Sequence, residues 1–108
     1  MNAEQVARND ALFRDANERI HDAAIEYDVD PVPFICECAE PTCHEVIALT
    51  LAEYDRVRAT PTRFVISPGH EGVAPHAVEV VERTQVYFVV EKVGRAAEVA
   101  AELDPRSA

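Results

Sequence analysis

Apolar side chains recur at seven-residue intervals through the first quarter of the chain, with alanines between them on the same helical face. They are Val6, Phe13, Ala16, Ile20, Ala23 and Tyr27. This spacing predicts one long amphipathic helix from Ala3 to Tyr27, with its apolar stripe facing the core. Asn9 interrupts the stripe, which favours packing on the protein's own sheet over a coiled coil. We therefore expect a monomer, or a weak homodimer through this N-terminal helix.

Five short runs in the rest of the chain are rich in β-branched and aromatic residues, which predicts strands. They occupy residues 34–38, 45–49, 62–66, 78–83 and 86–93. Only a tight connection near Thr84 separates the last two runs, so we expect them to pair as a hairpin. The proline pair Pro31 and Pro33 separates the first run from the N-terminal helix, because proline cannot continue a helix.

Two shorter helices complete the pattern. Thr50 and Glu53 have the spacing of a capping box, which predicts a middle helix that ends near Arg58. A C-terminal helix with an apolar face is indicated by Ala96, Val99, Ala100 and Leu103. The order of elements indicates a single α+β domain over residues 1–108. It has a small antiparallel or mixed sheet, a long N-terminal helix, a middle helix and a C-terminal helix.

All three cysteines of the chain lie within eight residues, at the spacing C-x-C-x4-C. Cys36 and Cys38 share one face of the first predicted strand, because side chains alternate along a strand. The segment from Glu40 to Cys43 has proline at the second position of a turn, which can fold Cys43 back toward the other two thiols. The three thiols predict a zinc site that is one ligand short of a tetrahedron.

Two histidines compete for the fourth position. His44 adjoins Cys43, and adjacent side chains in extended or turn backbone diverge, which makes joint ligation harder. His70 follows a Pro-Gly break on a separate element and would tie the cysteine loop to the sheet. We favour His70, which gives a Cys3His site of Cys36, Cys38, Cys43 and His70, and the choice against His44 stays open. The domain is then stapled by one zinc ion.

The remaining histidines and the nearby carboxylates have simpler interpretations. We expect His21 and His76 to be solvated surface residues. Glu37, Glu45 and Glu71 lie close in sequence to the ligands and could serve a zinc enzyme as general base. A surface position is the simpler expectation for each of the three carboxylates. No catalytic residue and no organic cofactor are indicated, since the chain has neither a glycine-rich phosphate loop nor a nucleophile elbow.

The charge of the chain bears on its partners and location. Twenty acidic against ten basic side chains give a formal net charge of −10 over 108 residues, which disfavours nucleic acid and anionic membranes as partners and leaves proteins. The polar N-terminus lacks the order of a secretory signal, and three clustered cysteines are typical of a reducing compartment. We expect a cytoplasmic protein.

Three functions fit these observations. The first is a small regulatory or adaptor protein that acts through protein contacts and uses zinc only as a structural staple. The second is a thiol-based redox or zinc-release switch, in which oxidation of Cys36 and Cys38 expels the metal. The third is a zinc-dependent enzyme, which would need an open coordination position. The first is favoured because the chain has a sufficient metal site, no constellation that needs catalysis, and an acidic charge that leaves proteins as partners. Four candidate protein ligands leave no place for water, which counts against the third.

Several blocks of the chain resemble a group of short bacterial proteins without an assigned function. The blocks are Phe34-x-Cys36-Glu37-Cys38, then Cys43, then Leu49-Thr-x-x-Glu-Tyr-x-x-Val-Arg58, and Pro68-Gly-His-Glu71. The resemblance covers most of the chain. It implies His70 as the fourth ligand over His44, because the group's pattern includes the histidine of Pro-Gly-His-Glu. It implies no activity.

Overall fold

The computed structural model describes residues 2–106, which form three helices, five strands and one 3-10 turn. The elements are α1 (Ala3–Glu26), β1 (Val32–Ile35), β2 (Val46–Leu49), α2 (Leu51–Arg58), β3 (Arg63–Ile66), the 3-10 turn (His70–Val73), β4 (Val78–Arg83), β5 (Phe88–Lys92) and α3 (Gly94–Glu102). This is the predicted α+β class, with all three predicted helices present. None of the helices in the described range is long and apolar enough to cross a bilayer.

The strands form two small antiparallel sheets. β1 pairs with β2, with Phe34 opposite Ile47. The second sheet has the order β3-β5-β4, and its hairpin closes at Thr84, whose hydroxyl accepts the backbone N–H of Tyr87 at 2.9 Å. A register shift between Val80 and Glu82 bends the edge strand β4. The predicted single sheet is therefore divided in two, and the segment after β1 must connect the halves.

Local chemistry explains where α2 begins. The Thr50 side chain accepts the backbone N–H of Glu53 at 3.1 Å, and the Glu53 carboxylate accepts the backbone N–H of Thr50 at 2.8 Å. These two bonds are the predicted capping box, which satisfies N–H groups that have no partner within the helix. α2 then carries Tyr54 into the core, where its ring stacks on Phe34 with centroids 4.1 Å apart.

The buried face of α1 differs from the predicted apolar stripe. Only Val6 of that stripe is fully buried, while Tyr27 is 74% exposed. The face that packs on the domain is shifted by about one residue and is partly polar. It contains Ala7, Asp10, Ala11, Arg14, Asn17, His21 and Ala24. An apolar-periodicity argument cannot find this face, because its polar side chains are buried only where partners from distant segments receive them.

His21, on this buried face, also differs from its predicted position. It was expected on the surface and is only 8% exposed. Its Nδ1 lies 3.1 Å from a carboxylate oxygen of Asp22, and its Nε2 lies 2.9 Å from one of Asp55. The second carboxylate comes from α2, so the imidazole lies at the contact between the two helices.

Buried charges on α1 are paired across the core. Asp10 forms a buried ion pair with Lys92 at the end of β5. Burial lowers the pKa of Lys92 to about 7. A carboxylate next to a buried ammonium acts in the opposite direction, since it favours the charged form. Arg14 donates to the carbonyls of Pro61 at 2.8 Å and Ala100 at 2.9 Å, with its guanidinium 4.6 Å from the centre of the Phe64 ring. These contacts tie α1 to the three-stranded sheet and to α3.

A second buried ion cluster holds the C-terminal segment. Arg58, at the end of α2, is fully shielded from solvent and forms an ion pair with Asp104 after α3. Its Nε also donates to Glu18 of α1 at 2.7 Å. Arg106 reaches the same Glu18 carboxylate at 2.9 Å. The cluster joins α1 and α2 to the segment after α3. Because the Arg58–Asp104 pair is desolvated, losing one partner of that pair costs more than losing a partner of an exposed pair.

Removing one charge of the Asp10–Lys92 pair tests this architecture. We expect Lys92→Met to lower the free energy of unfolding by about 3–5 kcal/mol, because it leaves the Asp10 carboxylate buried without a counter-charge. The double variant Asp10→Leu/Lys92→Met should recover most of that loss. Urea denaturation measures both. As a control, Arg8→Met breaks the exposed Arg8–Glu4 pair and should cost less than about 1 kcal/mol. Equal destabilisation of the single and double variants would contradict the pairing.

Candidate metal centre

The segment after β1 carries the first two thiols and joins the two sheets. The backbone N–H of Cys36 donates to the carbonyl of Glu45 at 2.9 Å, just before β2. The next N–H, that of Glu37, donates in the opposite direction to the carbonyl of Val65 in β3 at 2.8 Å. Successive residues therefore bond to different sheets, and the side chains on both faces of this segment are buried. Cys36 and Cys38 are 2% and 3% exposed.

A proline turn brings in the third thiol. The backbone N–H of Cys43 donates to the carbonyl of Glu40 at 3.0 Å, which closes the four-residue turn expected from Pro41. The Glu40 carboxylate accepts the backbone N–H of Thr42 at 3.1 Å and its hydroxyl at 2.8 Å. The carboxylate thus stabilises the turn that directs Cys43 back to the other thiols.

A second turn delivers His70. The backbone N–H of Ser67 donates to the Cys36 sulfur at 3.2 Å, and the N–H of His70 donates to the Ser67 carbonyl at 3.1 Å. Gly69 between them has φ of 91°, a left-handed conformation that glycine adopts without steric cost. Ser67 therefore contacts one candidate ligand while its turn positions another.

These elements bring Cys36, Cys38, Cys43 and His70 into one group. The four ligand atoms all lie within 4.8 Å of one another. Nδ1 of His70 is 3.5 Å from the Cys36 sulfur and 3.7 Å from the Cys43 sulfur. Three sulfurs and one imidazole nitrogen at this separation are close enough to bind a metal ion.

Hydrogen bonding within the group shifts the pKa values of two of its thiols in opposite directions. The Cys38 thiol and the Ser67 N–H donate to the Cys36 sulfur and, against the opposing effect of burial, lower the pKa of Cys36 to about 5. The same contact raises the pKa of Cys38, since its proton is held between the two sulfurs. These hydrogen bonds therefore favour the charged form of one sulfur in the group, and a cation site requires deprotonated thiols.

The other histidines lie elsewhere. His44 is exposed and does not belong to the four-residue group, although it is the neighbour of Cys43. His76 is exposed in the segment before β4, where a surface position was expected. The carboxylate of Glu45 is also at the surface, while Glu71 is half-buried.

Glu37 corrects the sequence interpretation most clearly. It was expected to be a surface carboxylate, yet it is 0% exposed. Its Oε2 accepts Asn17 Nδ2 at 2.9 Å and the Tyr54 hydroxyl at 2.8 Å, and its Oε1 accepts the Val65 N–H at 2.9 Å. Burial raises the pKa of Glu37 above its ordinary value, and these hydrogen bonds act in the opposite direction.

Asn17 completes the support of this segment. Its side-chain amide donates to the carbonyl of Ile35 at 2.8 Å and accepts the N–H of Ile35 at 2.9 Å, as a neighbouring strand would. The alternation argument placed Glu37 outside because it assumed a strand with one buried face. In the structure β1 ends at Ile35, and residues 36–38 form an irregular segment between the two sheets that is buried on both faces. The short spacing of the three thiols was a sequence signal that this region is enclosed.

The site offers cation binding by sulfur and imidazole. Of the carboxylates adjacent to the ligands in sequence, Glu37 already accepts three hydrogen bonds. Glu71, next to His70, has a buried Oε1 with no hydrogen-bond partner among the described residues. Comparison with protein-family models, with curated proteins and with solved structures finds no match to this chain.

Replacing Glu37 by glutamine tests its supporting role. Glutamine has nearly the same shape, but its NH2 group faces a donor in either orientation, since Asn17, Tyr54 and Val65 all donate to Glu37. We expect Glu37→Gln to lower the free energy of unfolding by about 1–3 kcal/mol, measured by urea denaturation. The matched change Glu79→Gln, on an exposed residue of β4, should have almost no effect. If Glu37→Gln and Glu79→Gln have the same free energy of unfolding, the Glu37 hydrogen bonds do not stabilise the fold.

Proposed function

We propose that Cys36, Cys38, Cys43 and His70 bind one zinc ion in a closed structural site. The observation that carries this proposal is the pair of sulfur–nitrogen distances of 3.5 and 3.7 Å. Zinc bonds of about 2.3 Å to sulfur and about 2.0 Å to nitrogen, at tetrahedral angles, require sulfur–nitrogen edges of about 3.5 Å and sulfur–sulfur edges of about 3.8 Å. The widest separation in the group, at most 4.8 Å, closes with about 1 Å of side-chain movement.

The donor set supports zinc over other metals. Sulfur-rich tetrahedral sites suit zinc or iron–sulfur chemistry, whereas carboxylate-rich sites suit calcium, magnesium or manganese. A single imidazole beside three thiols is one of the common structural zinc sets. A structural role also fits better than an enzymatic one, because four protein donors leave no position for a water molecule.

The metal would act as a staple between two parts of the fold. Cys43 and His70 are separated by 27 residues, a stretch that contains β2, α2 and β3. Closing a loop of this length restricts the unfolded chain, and binding free energy at such a site is largely folding free energy. The zinc would therefore hold the cysteine segment against the turn that follows β3.

Membership in the resembling group of short bacterial proteins is part of the same proposal. The blocks that carry the resemblance include Glu37, Tyr54 and Arg58, which are buried polar residues in this structure. Their burial supports the view that those blocks describe a scaffold around the site. It is a cytoplasmic protein in this proposal, since three free thiols suit a reducing compartment.

The domain would work through protein contacts at one end of α1. An apolar groove of about 190 Å³ lies there, formed by Ile20, Ala23, Ala24, Tyr27, Val29, Val32 and Pro33. Its surroundings are acidic, with Asp22, Glu26, Asp28 and Asp30 all exposed. No Lys or Arg occurs between Arg19 and Arg56. The occupant that fits is a partner segment with apolar anchors flanked by basic side chains, while a second copy would bring a like-charged rim.

A thiol-based redox or zinc-release switch is the second candidate. Cys43 is half-buried, which gives an oxidant access to one ligand, while Cys36 and Cys38 are shielded. Titration with mild peroxide, followed by a colorimetric zinc reporter, distinguishes the candidates. Zinc release from folded protein supports the switch, and retention until unfolding supports a purely structural ion.

Metal analysis of ligand variants tests the zinc proposal. We expect one zinc per wild-type chain by elemental analysis, and loss of the metal with a lower melting temperature in Cys36→Ser, Cys38→Ser, Cys43→Ser and His70→Ala. His44→Ala should keep a full zinc content and the wild-type melting temperature, because His44 lies outside the group. Wild-type protein without metal, or ligand variants that melt like wild type, would overturn the proposal.

A charge placed in the groove tests the contact proposal. Ala23 is exposed on the groove wall, and Ala23→Arg should abolish capture of any partner that the wild-type protein recovers reproducibly from native lysate. Ala101→Arg, the same change on an exposed residue of α3, should leave capture intact. Capture should also weaken as salt rises. Equal capture by both variants places the contact elsewhere, and sedimentation of the protein alone shows whether a second copy occupies the groove.

A further inference from the structure

The four candidate ligands are unequally accessible. Cys36 and Cys38 are buried, while Cys43 and His70 are half-buried. The two half-buried ligands line an open cleft of about 550 Å³. The rest of its wall is Glu40, Thr42, His44, Glu45, Gly69, Gly72 and Val73. A metal ion that reaches Cys43 and His70 from solvent thus meets this cleft first.

The cleft has the charge and donors to attract a cation. Among the described residues that line it, none is Lys or Arg, while Glu40 and Glu45 contribute carboxylates. A concave surface with one sign of charge concentrates the opposite ion and speeds its arrival. His44 adds an exposed imidazole to the cleft that Cys43 and His70 also line, and imidazole binds borderline metals such as zinc well.

A second, much smaller cavity lies between the site and the core and gives a metal ion poor access to the ligands. It touches Cys38 and His70, but its volume is only about 10 Å³, room for about one water molecule. Its wall also includes Asp10 and Lys92, whose ion pair is buried, and the fully buried Glu37. A hydrated divalent cation could pass there only if the core opened.

We propose that the open cleft is the loading route of the metal centre, with His44 as the first protein ligand to capture a hydrated divalent cation. This inference rests on the proposed zinc function. The His44 imidazole replaces one water of the cation, and Cys43 and His70 then replace others from the same cleft. Cys38 and Cys36 complete the tetrahedron, His44 dissociates, and the thiol protons leave to solvent. No oxidation or reduction is involved.

A loading ligand has a kinetic signature that a permanent ligand lacks. His44 binds the ion on the way in and on the way out but contributes nothing to the final complex. Its removal must therefore slow association and dissociation by the same factor and leave affinity unchanged. Removal of a permanent ligand lowers affinity instead, mostly through faster dissociation.

Stopped-flow mixing of metal-free, reduced protein with zinc tests the proposal. We expect His44→Ala to take up zinc several-fold more slowly than wild type, and to release it to a chelator more slowly by the same factor, with an unchanged stoichiometry. His76→Ala, which removes another exposed histidine, should match wild type. His44→Asp should recover much of the rate, because a carboxylate can also capture zinc. Glu45→Gln should slow uptake at low salt and less so at high salt.

Three outcomes overturn the loading route. Uptake by His44→Ala at the wild-type rate removes its capturing role, and a loss of affinity or stoichiometry in that variant makes His44 a permanent ligand. If zinc uptake by His76→Ala is slowed to the same extent, the effect comes from removing any exposed imidazole and is not specific to His44. The proposed function fails separately, if wild-type protein binds no zinc. A wild-type protein that binds zinc with unaltered kinetics in His44→Ala keeps the function and loses only the route.

Discussion

The buried carboxylate of Glu37 is the contact on which the rest of the structure depends. It accepts hydrogen bonds from Asn17 of α1, Tyr54 of α2 and Val65 of β3, so one side chain joins three elements. Burying a carboxylate costs free energy unless both of its oxygens accept hydrogen bonds. Its neighbours on either side are the two buried thiols. The scaffold that satisfies Glu37 therefore also fixes Cys36 and Cys38.

The cysteine segment thus has two kinds of support on its two faces. On the inner face, hydrogen bonds from helices and strand satisfy Glu37. On the outer face, Ser67 and the two turns gather four ligand atoms within 4.8 Å. A metal ion would add cohesion where the chain has only turns and short strands, whereas the inner face already has a packed core. This division fits a small domain, whose core alone provides limited stability.

Buried charge recurs elsewhere in the molecule under the same constraint. The Asp10–Lys92 pair and the Arg58–Asp104 pair each join α1 or α2 to a segment near the C-terminus. Such pairs specify which surfaces meet, because a mispaired helix would leave a charge in the core. The predicted apolar stripe of α1 is left partly exposed by this arrangement. Since the polar face is turned inward, apolar side chains near Tyr27 stay available at the surface.

Local rules, read from the sequence by itself, determined the three helices, the capping box at Thr50 and Glu53, the hairpin near Thr84 and the clustering of three thiols. Each depends on residues a few positions apart, so periodicity and turn chemistry are enough. Only the tertiary structure decided which face of α1 is buried, that Glu37 is enclosed, that His21 lies between helices, and that the strands divide into two sheets. Those features depend on partners such as Lys92 and Val65, which are distant in sequence. A polar side chain is buried at low cost only where distant segments supply its hydrogen-bond or ion-pair partners. A local sequence pattern contains no information about those long-range contacts.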